Sequence, residues 1–119
     1  MKTHKDLDVW KRSVEFVTNI YRTTENFPRT EIYGLTNQIR RAAVSVPSNI
    51  AEGAARKNAR EFIQFLYIAL GSLAELETQI LISKNLKYLN DPSSEDIQKE
   101  IAAIRQMISG LIRFLKNKK

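Results

Sequence analysis

Cysteine is absent from this chain of 119 residues, and histidine occurs once, at His4. Without cysteine there is no disulfide framework, no thiolate metal site and no thiol nucleophile. A lone histidine near the N-terminus excludes histidine-based metal clusters and Ser-His or Cys-His triads. No Glu-x-x-His pair is present, which removes the carboxylate-bridged di-iron bundle as well. The glycines (Gly34, Gly53, Gly71 and Gly110) are scattered, so there is no glycine-rich phosphate loop. No uninterrupted run approaches the ~18 apolar residues of a membrane span. The opening MKTHKDLDVWKRS lacks the apolar core of a secretory signal. These absences lead to the expectation of a cytoplasmic protein with no membrane partner, no metal and no cofactor.

Catalytic carboxylate pairs are also missing. Glu75 and Glu77 are two apart and face different sides of a helix. Glu52 and Arg56 have the i, i+4 spacing of a surface ion pair. No set of nucleophile, base and oxyanion donors emerges, so the expectation is not an enzyme.

What is present is helical periodicity, and a chain of this length is expected to form one domain with a core of its own. Residues 1–5 read as a loose tail and 116–119 as a basic one. Helix 1 is expected over about Asp6–Asn26, with the stripe Trp10, Val14, Val17, Tyr21, Thr24 inward; Phe27-Pro28 ends it. Helix 2 is expected from Glu31, with Thr30 as its N-cap. Its inward stripe is Ile32, Leu35, Ile39, Ala42 or Ala43, Val46, Ile50. Pro47 lies inside that stripe and predicts a kinked but single element, and Gly53 marks its C-terminal stop or lies within one turn of it. Asn58 with Glu61 has the capping-box spacing that opens helix 3, expected to reach about Leu89.

Helix 3 is apolar over most of its circumference. One stripe is Phe62, Phe65 or Leu66, Ala69, Leu73, Leu76, Ile80. Ile63, Tyr67, Ile68, Leu70, Leu81 and Ile82 lie off it. A small bundle has one core to face, so the second face predicts self-association, with Ile63, Tyr67, Leu70 and Leu81 as candidate interface residues. Asn90-Asp91-Pro92 is a turn, with Asp91, or Ser93 with Asp96, opening helix 4. There Ile97, Ile101, Ile104, Ile108, Leu111 and Leu115 make a narrow seam. The fold class is all-α: an antiparallel up-down-up-down four-helix bundle with short links.

Charge supplies the functional clue. The net charge is +6, and residues 31–60 carry five bases against two acids. Arg40 and Arg41 leave the Ile39 stripe by about 100° and 200°. Arg41 shares a polar ribbon with Asn37, Gln38, Ser45, Ser48 and Glu52. That ribbon reads three ways: a solvated face with an internal Arg–Glu contact, an inter-subunit ion pair, or a phosphate-contacting stripe continued by Arg56, Lys57 and Arg60. The planar arginine fork suits phosphate. Trp10 and Tyr33 are candidate stacking platforms for bases, although Trp10 also fits the core.

The strings DLDVWKRS, IYRTTENFP, YGLTNQIRRAAVSVPSNIAEG and EFIQFLYIALGSLAELETQI resemble the bacterial four-helix-bundle family first met as proteins encoded in 23S rRNA intervening sequences. The resemblance covers residues 6 to about 90 and, more loosely, the last helix. It implies a closed ring of five protomers. It also implies kinship with the accessory proteins of diversity-generating retroelements, which share that barrel, bind a reverse transcriptase and contact nucleic acid through basic surfaces. It supplies no catalytic residues; Arg40, Arg41 and Arg56 match basic positions of the family pattern. The functional expectation is a non-enzymatic homo-oligomer that binds RNA or DNA electrostatically. The alternative is a structural adaptor whose partner is another protein.

Overall fold

The computed structural model describes residues 3–118, with nothing said of the side chain of Asp6. Four α-helices carry the fold: α1 (Asp8–Thr24), α2 (Leu35–Ala54), α3 (Ala59–Asn85) and α4 (Asp91–Asn117). Short 3-10 turns at His4–Asp6 and Arg29–Glu31 precede α1 and α2, and no strand occurs among the described residues. The molecule measures 49 × 23 × 19 Å, as expected when two helices of 27 residues set its long axis. Each helix packs on two others, in the cycle α1–α2–α3–α4, leaving α1 diagonal to α3 and α2 diagonal to α4.

Side-chain pairs fix the register. Gly53 of α2 lies against Phe62 and Phe65 of α3, and Ser45 bonds Ser72 at 2.8 Å. Glu77 of α3 meets Arg105 at 3.4 Å, and Tyr67 accepts from Lys116 at 3.1 Å. Across α1 and α4, Arg12 pairs with Glu100.

In α1 the buried stripe is Val9, Ser13, Phe16, Ile20 and Thr24; Thr24 is buried as expected, and the other four lie one residue before the expected ones. The helix is thus rotated by about 100°, leaving Val14 and Tyr21 largely exposed and Trp10 and Val17 half-buried. Ser13 made the true stripe look polar. Buried, its hydroxyl donates to the Val9 carbonyl at 2.7 Å, so it sits in the core without an orphaned group. The helix is also shorter than expected, ending at Thr24, with Phe27 buried just beyond.

The entry to α2 differs too. Thr30 does not cap it. The Glu31 carboxylate accepts from the Leu35 N–H at 3.1 Å, and its other oxygen accepts from the Tyr88 hydroxyl at 2.9 Å. That hydrogen bond raises the Tyr88 pKa above the ordinary phenol value. The turn this creates leaves Ile32, expected in the core, 49% exposed. Beyond it α2 is one element through Pro47, with Ile39, Ala43, Val46 and Ile50 fully buried. Ser45, just before the proline, bonds Ser72 and accepts from Asn49. Gly53 lies within one turn of the stop, as expected, the helix ending at Ala54. It is glycine because a Cβ there would come within 2.8 Å of Phe65 Cβ and 3.2 Å of the Phe62 carbonyl.

The capping box of α3 is formed: Asn58 Oδ1 accepts from the Glu61 N–H at 2.9 Å and its amide donates back to Glu61. The helix stops at Asn85, short of the expected Leu89. Lys87 takes a left-handed conformation with φ 66°, the Tyr88 N–H reaches back to the Ser83 carbonyl and that of Lys87 to Lys84. This is a Schellman stop carried by a lysine. Asn90, rather than Asp91 or Ser93, caps α4 by accepting from the Ser93 N–H at 2.8 Å. Ile101, Ile104, Ile108 and Leu115 are buried as expected; Ile97 and Leu111 are half-buried, and Ile112 is buried instead. A straight helix drifts off a seven-residue repeat in this way.

Candidate nucleic-acid interface

The basic side chains singled out in the sequence separate into two kinds. Arg40 is tied inward. Its Nε donates to Thr24 Oγ1 at 2.9 Å, one terminal nitrogen donates to the Tyr21 carbonyl at 3.2 Å, and the guanidinium lies 4.6 Å from the centre of the Tyr21 ring. It neutralises the carbonyl end of α1, where a cation is favoured by the helix dipole. Arg41, one residue on, is exposed and pairs with no acid among the described residues. It lines a polar recess of about 340 Å³ between α2 and α3, with Gln38, Ser45, Ser72 and Glu75.

Arg56 is partly committed: it bonds Glu52 at 3.1 Å and lies 4.7 Å from the centre of the Phe65 ring. Lys57 and Arg60 are exposed and unpaired among the described residues. α2 is about 30 Å long, so Arg41 stands apart from the group at 56–60. The sequence ribbon is therefore two separate positions rather than one continuous stripe.

The group at 56–60 is extended from the far end of the chain. α4 ends beside the start of α3, so Lys118 borders the same cleft as Arg56 and Lys57. Lys116 donates to the Tyr67 hydroxyl and sits 5.7 Å from the centre of that ring. Arg56, Lys57, Arg60, Lys116 and Lys118 thus form one basic pole. The carbonyl ends of α2 and α4 lie at the same pole, where the helix dipole favours such cations. Sequence reading had taken the last lysines as a solvated tail. The signal was the equal length of α3 and α4, each 27 residues, which brings the end of one to the start of the other.

The stacking candidates do not join this pole. Trp10 is half-buried against the core, edge-on to His4 at 5.0 Å. Tyr33 is 93% exposed but precedes α2, at the opposite end of the molecule. The candidate interface residues of α3 also divide. Tyr67 and Leu81 are about half exposed, whereas Ile63 and Leu70 are partly buried against the core. Among the described residues no three His, Asp or Glu side chains gather as a metal ion would require. A carboxylate shift elsewhere is structural: bidentate bonds from Arg12, 2.7 and 2.9 Å, hold the Glu100 carboxyl below the usual carboxylate range.

A sequence profile described as 23S rRNA-intervening sequence protein matches residues 5–110. A comparison with curated proteins finds no match. Among solved structures, the chain is similar to a protein with unknown function from the S23 ribosomal protein family of Bacteroides thetaiotaomicron. The two share 25% identity and a TM-score of 0.78, over 87% of this chain and 97% of that one.

Proposed function

We propose, for a chain that belongs to the 23S rRNA-intervening sequence protein family, that it is a non-enzymatic cytoplasmic oligomer binding RNA or DNA electrostatically through its basic pole. The observation that carries this is the meeting of Lys57, Arg60 and Lys118 at one end of the molecule, none ion-paired among the described residues. Such a cluster favours phosphate over any particular base. The contact pairs run in reversed order along neighbouring helices, which supports an antiparallel up-down-up-down bundle as the single domain.

Two apolar faces support the oligomer. One is the outer side of α3, with Tyr67, Ile68, Leu81 and Ile82 exposed. The other is the outer side of α1, where Val14 and Tyr21 are exposed. The helices are diagonal, so these faces look in opposite directions. Different, opposed faces favour head-to-tail association over a two-fold dimer, and such association forms a ring where the rotation between copies closes. The resemblance read in the sequence implies five copies. Five copies would carry a charge of about +30 and repeat each pole fivefold, so weak phosphate contacts act together.

The test is a titration with labelled structured RNA and duplex DNA at two salt concentrations. Affinity is expected to fall steeply with salt, because each neutralised phosphate releases counterions. Replacing Lys57, Arg60 and Lys118 together by alanine is expected to weaken binding about tenfold or more and flatten the salt slope. Arg40→Ala is expected to lower stability and leave that slope unchanged. Absence of binding at low salt overturns the reading. A second reading, a protein adaptor, is favoured by the exposed Ile32 and Tyr33 at the other end; it predicts capture of a specific protein that survives high salt.

A further inference from the structure

The basic pole has an apolar floor that phosphate binding does not require. Between the start of α1, the end of α2, the start of α3 and the end of α4 lies a cleft of about 530 Å³. Leu7, Phe62, Leu111 and Phe114 line it, and Phe114, on the outer side of α4, is 62% exposed. Arg56, Lys57 and Lys118 also border it, and no carboxylate among the described residues does. The remaining wall is the first turn of α3, Asn58 and Ala59. There Asn58 Oδ1 takes the Glu61 N–H, leaving the N–H groups of Ala59 and Arg60 outside the helix's own bonding.

These features select a ligand by chemistry. The volume is that of a small-molecule site. The floor carries only hydrocarbon, so it reads no polar group in the body of a ligand and suits a plain alkyl chain. Among the described residues the rim is cationic without a competing acid, and it suits one anionic head. We propose that this cleft binds a medium-chain fatty acid, its chain over Phe62, Leu111 and Phe114 and its carboxylate toward Lys57 and Lys118. The proposal does not depend on nucleic-acid binding, although it shares Lys57 and Lys118 with that reading.

Calorimetric titration of the full chain with decanoate, below its micelle concentration, tests it. Saturable binding at one molecule per chain is expected, and decyltrimethylammonium, with a similar chain and the opposite charge, is expected not to bind. Lys57→Glu with Lys118→Glu is expected to weaken decanoate about tenfold or more. Phe114→Ser is expected to weaken it comparably while leaving RNA affinity unchanged, which separates this site from the phosphate-binding role of the pole. Phe114 is exposed, so that variant keeps its fold, and circular dichroism checks this. The proposal is overturned if the folded protein does not bind decanoate, if head charge makes no difference, if Phe114→Ser binds as the parent does, or if binding occurs only to vesicles of anionic phospholipid.

Discussion

Gly53 and Gly71 both stand inside helices, where glycine costs about 1 kcal/mol relative to alanine, yet their surroundings are opposite. Gly53 is buried in the α2–α3 seam, where a Cβ would collide with Phe62 and Phe65. Gly71 faces outward, and a Cβ there would meet nothing within 4 Å. The protomer accounts for the first glycine and not for the second. Gly71 shares the outer side of α3 with Tyr67, Ala74, Thr78 and Leu81, and such small residues let another backbone come close. The same helix thus has one face matched by packing and one that meets open space.

The inner face should respond most strongly. Leu73 is fully buried, and Leu73→Ala is expected to destabilise the protein by about 2–5 kcal/mol, the loss of burial plus the cavity. Chemical denaturation measures it; an unchanged midpoint would mean that α3 does not bury this side. Gly53→Ala comes next, at about 1–3 kcal/mol, because Phe65 Cβ and the Phe62 carbonyl belong to a packed helix and cannot both move aside. Gly71→Ala inverts the sign: the isolated protomer is expected to gain about 1 kcal/mol, while sedimentation shows weaker association. A gain in stability with unchanged assembly would remove Gly71 from any interface.

How much of this contrast was legible in the sequence varies from helix to helix. α4 has one apolar stripe and charges elsewhere, so its core side was readable apart from the drift to Ile112. α3 has two apolar sides, and the inner one was readable because Leu66, Ala69, Leu73, Leu76 and Ile80 keep phase over its length. α1 also has two, and there the choice failed. The stripe of Val9, Ser13, Phe16 and Ile20 is interrupted by a serine where Trp10, Val14, Val17 and Tyr21 are all large, but the hydroxyl of Ser13 finds its partner inside the helix. The basic pole was half legible. Arg56, Lys57 and Arg60 are neighbours in sequence, but Lys118 joins them only through the helix register. The inward bonds of Arg40 were not legible, because Arg40 and Arg41 differ only by a turn of about 100°.

The α1–α4 seam is the slightest of the four helix contacts, and charge helps to hold it. The Arg12–Glu100 pair depresses the Glu100 pKa, so its contribution is present above the unfolded carboxylate value and is lost as pH falls through the lower folded value. Glu100→Gln is therefore expected to lower the Tm slightly near neutral pH. The difference from the parent should shrink between about pH 5 and pH 3. A difference that persists in acid would assign the effect to packing. The effect is small because both side chains are partly solvated, 44% and 31% exposed.

The smallest change in protomer stability is expected on the outer face of α3, and there it is the most informative. Leu81 is 52% exposed, so Leu81→Asp removes little that the protomer has buried and is expected to shift its stability by no more than about 0.5 kcal/mol. If a second copy covers that face, the same carboxylate must be desolvated against an apolar surface, and association should fail. Sedimentation and circular dichroism together give the answer: full helicity with loss of the oligomer supports the outer face as the contact. Leu70→Asp is the poorer test, since Leu70 is half-buried against the core and its loss would mix the two faces. Retained assembly in Leu81→Asp would move the interface off α3 and leave Gly71 without a role in association.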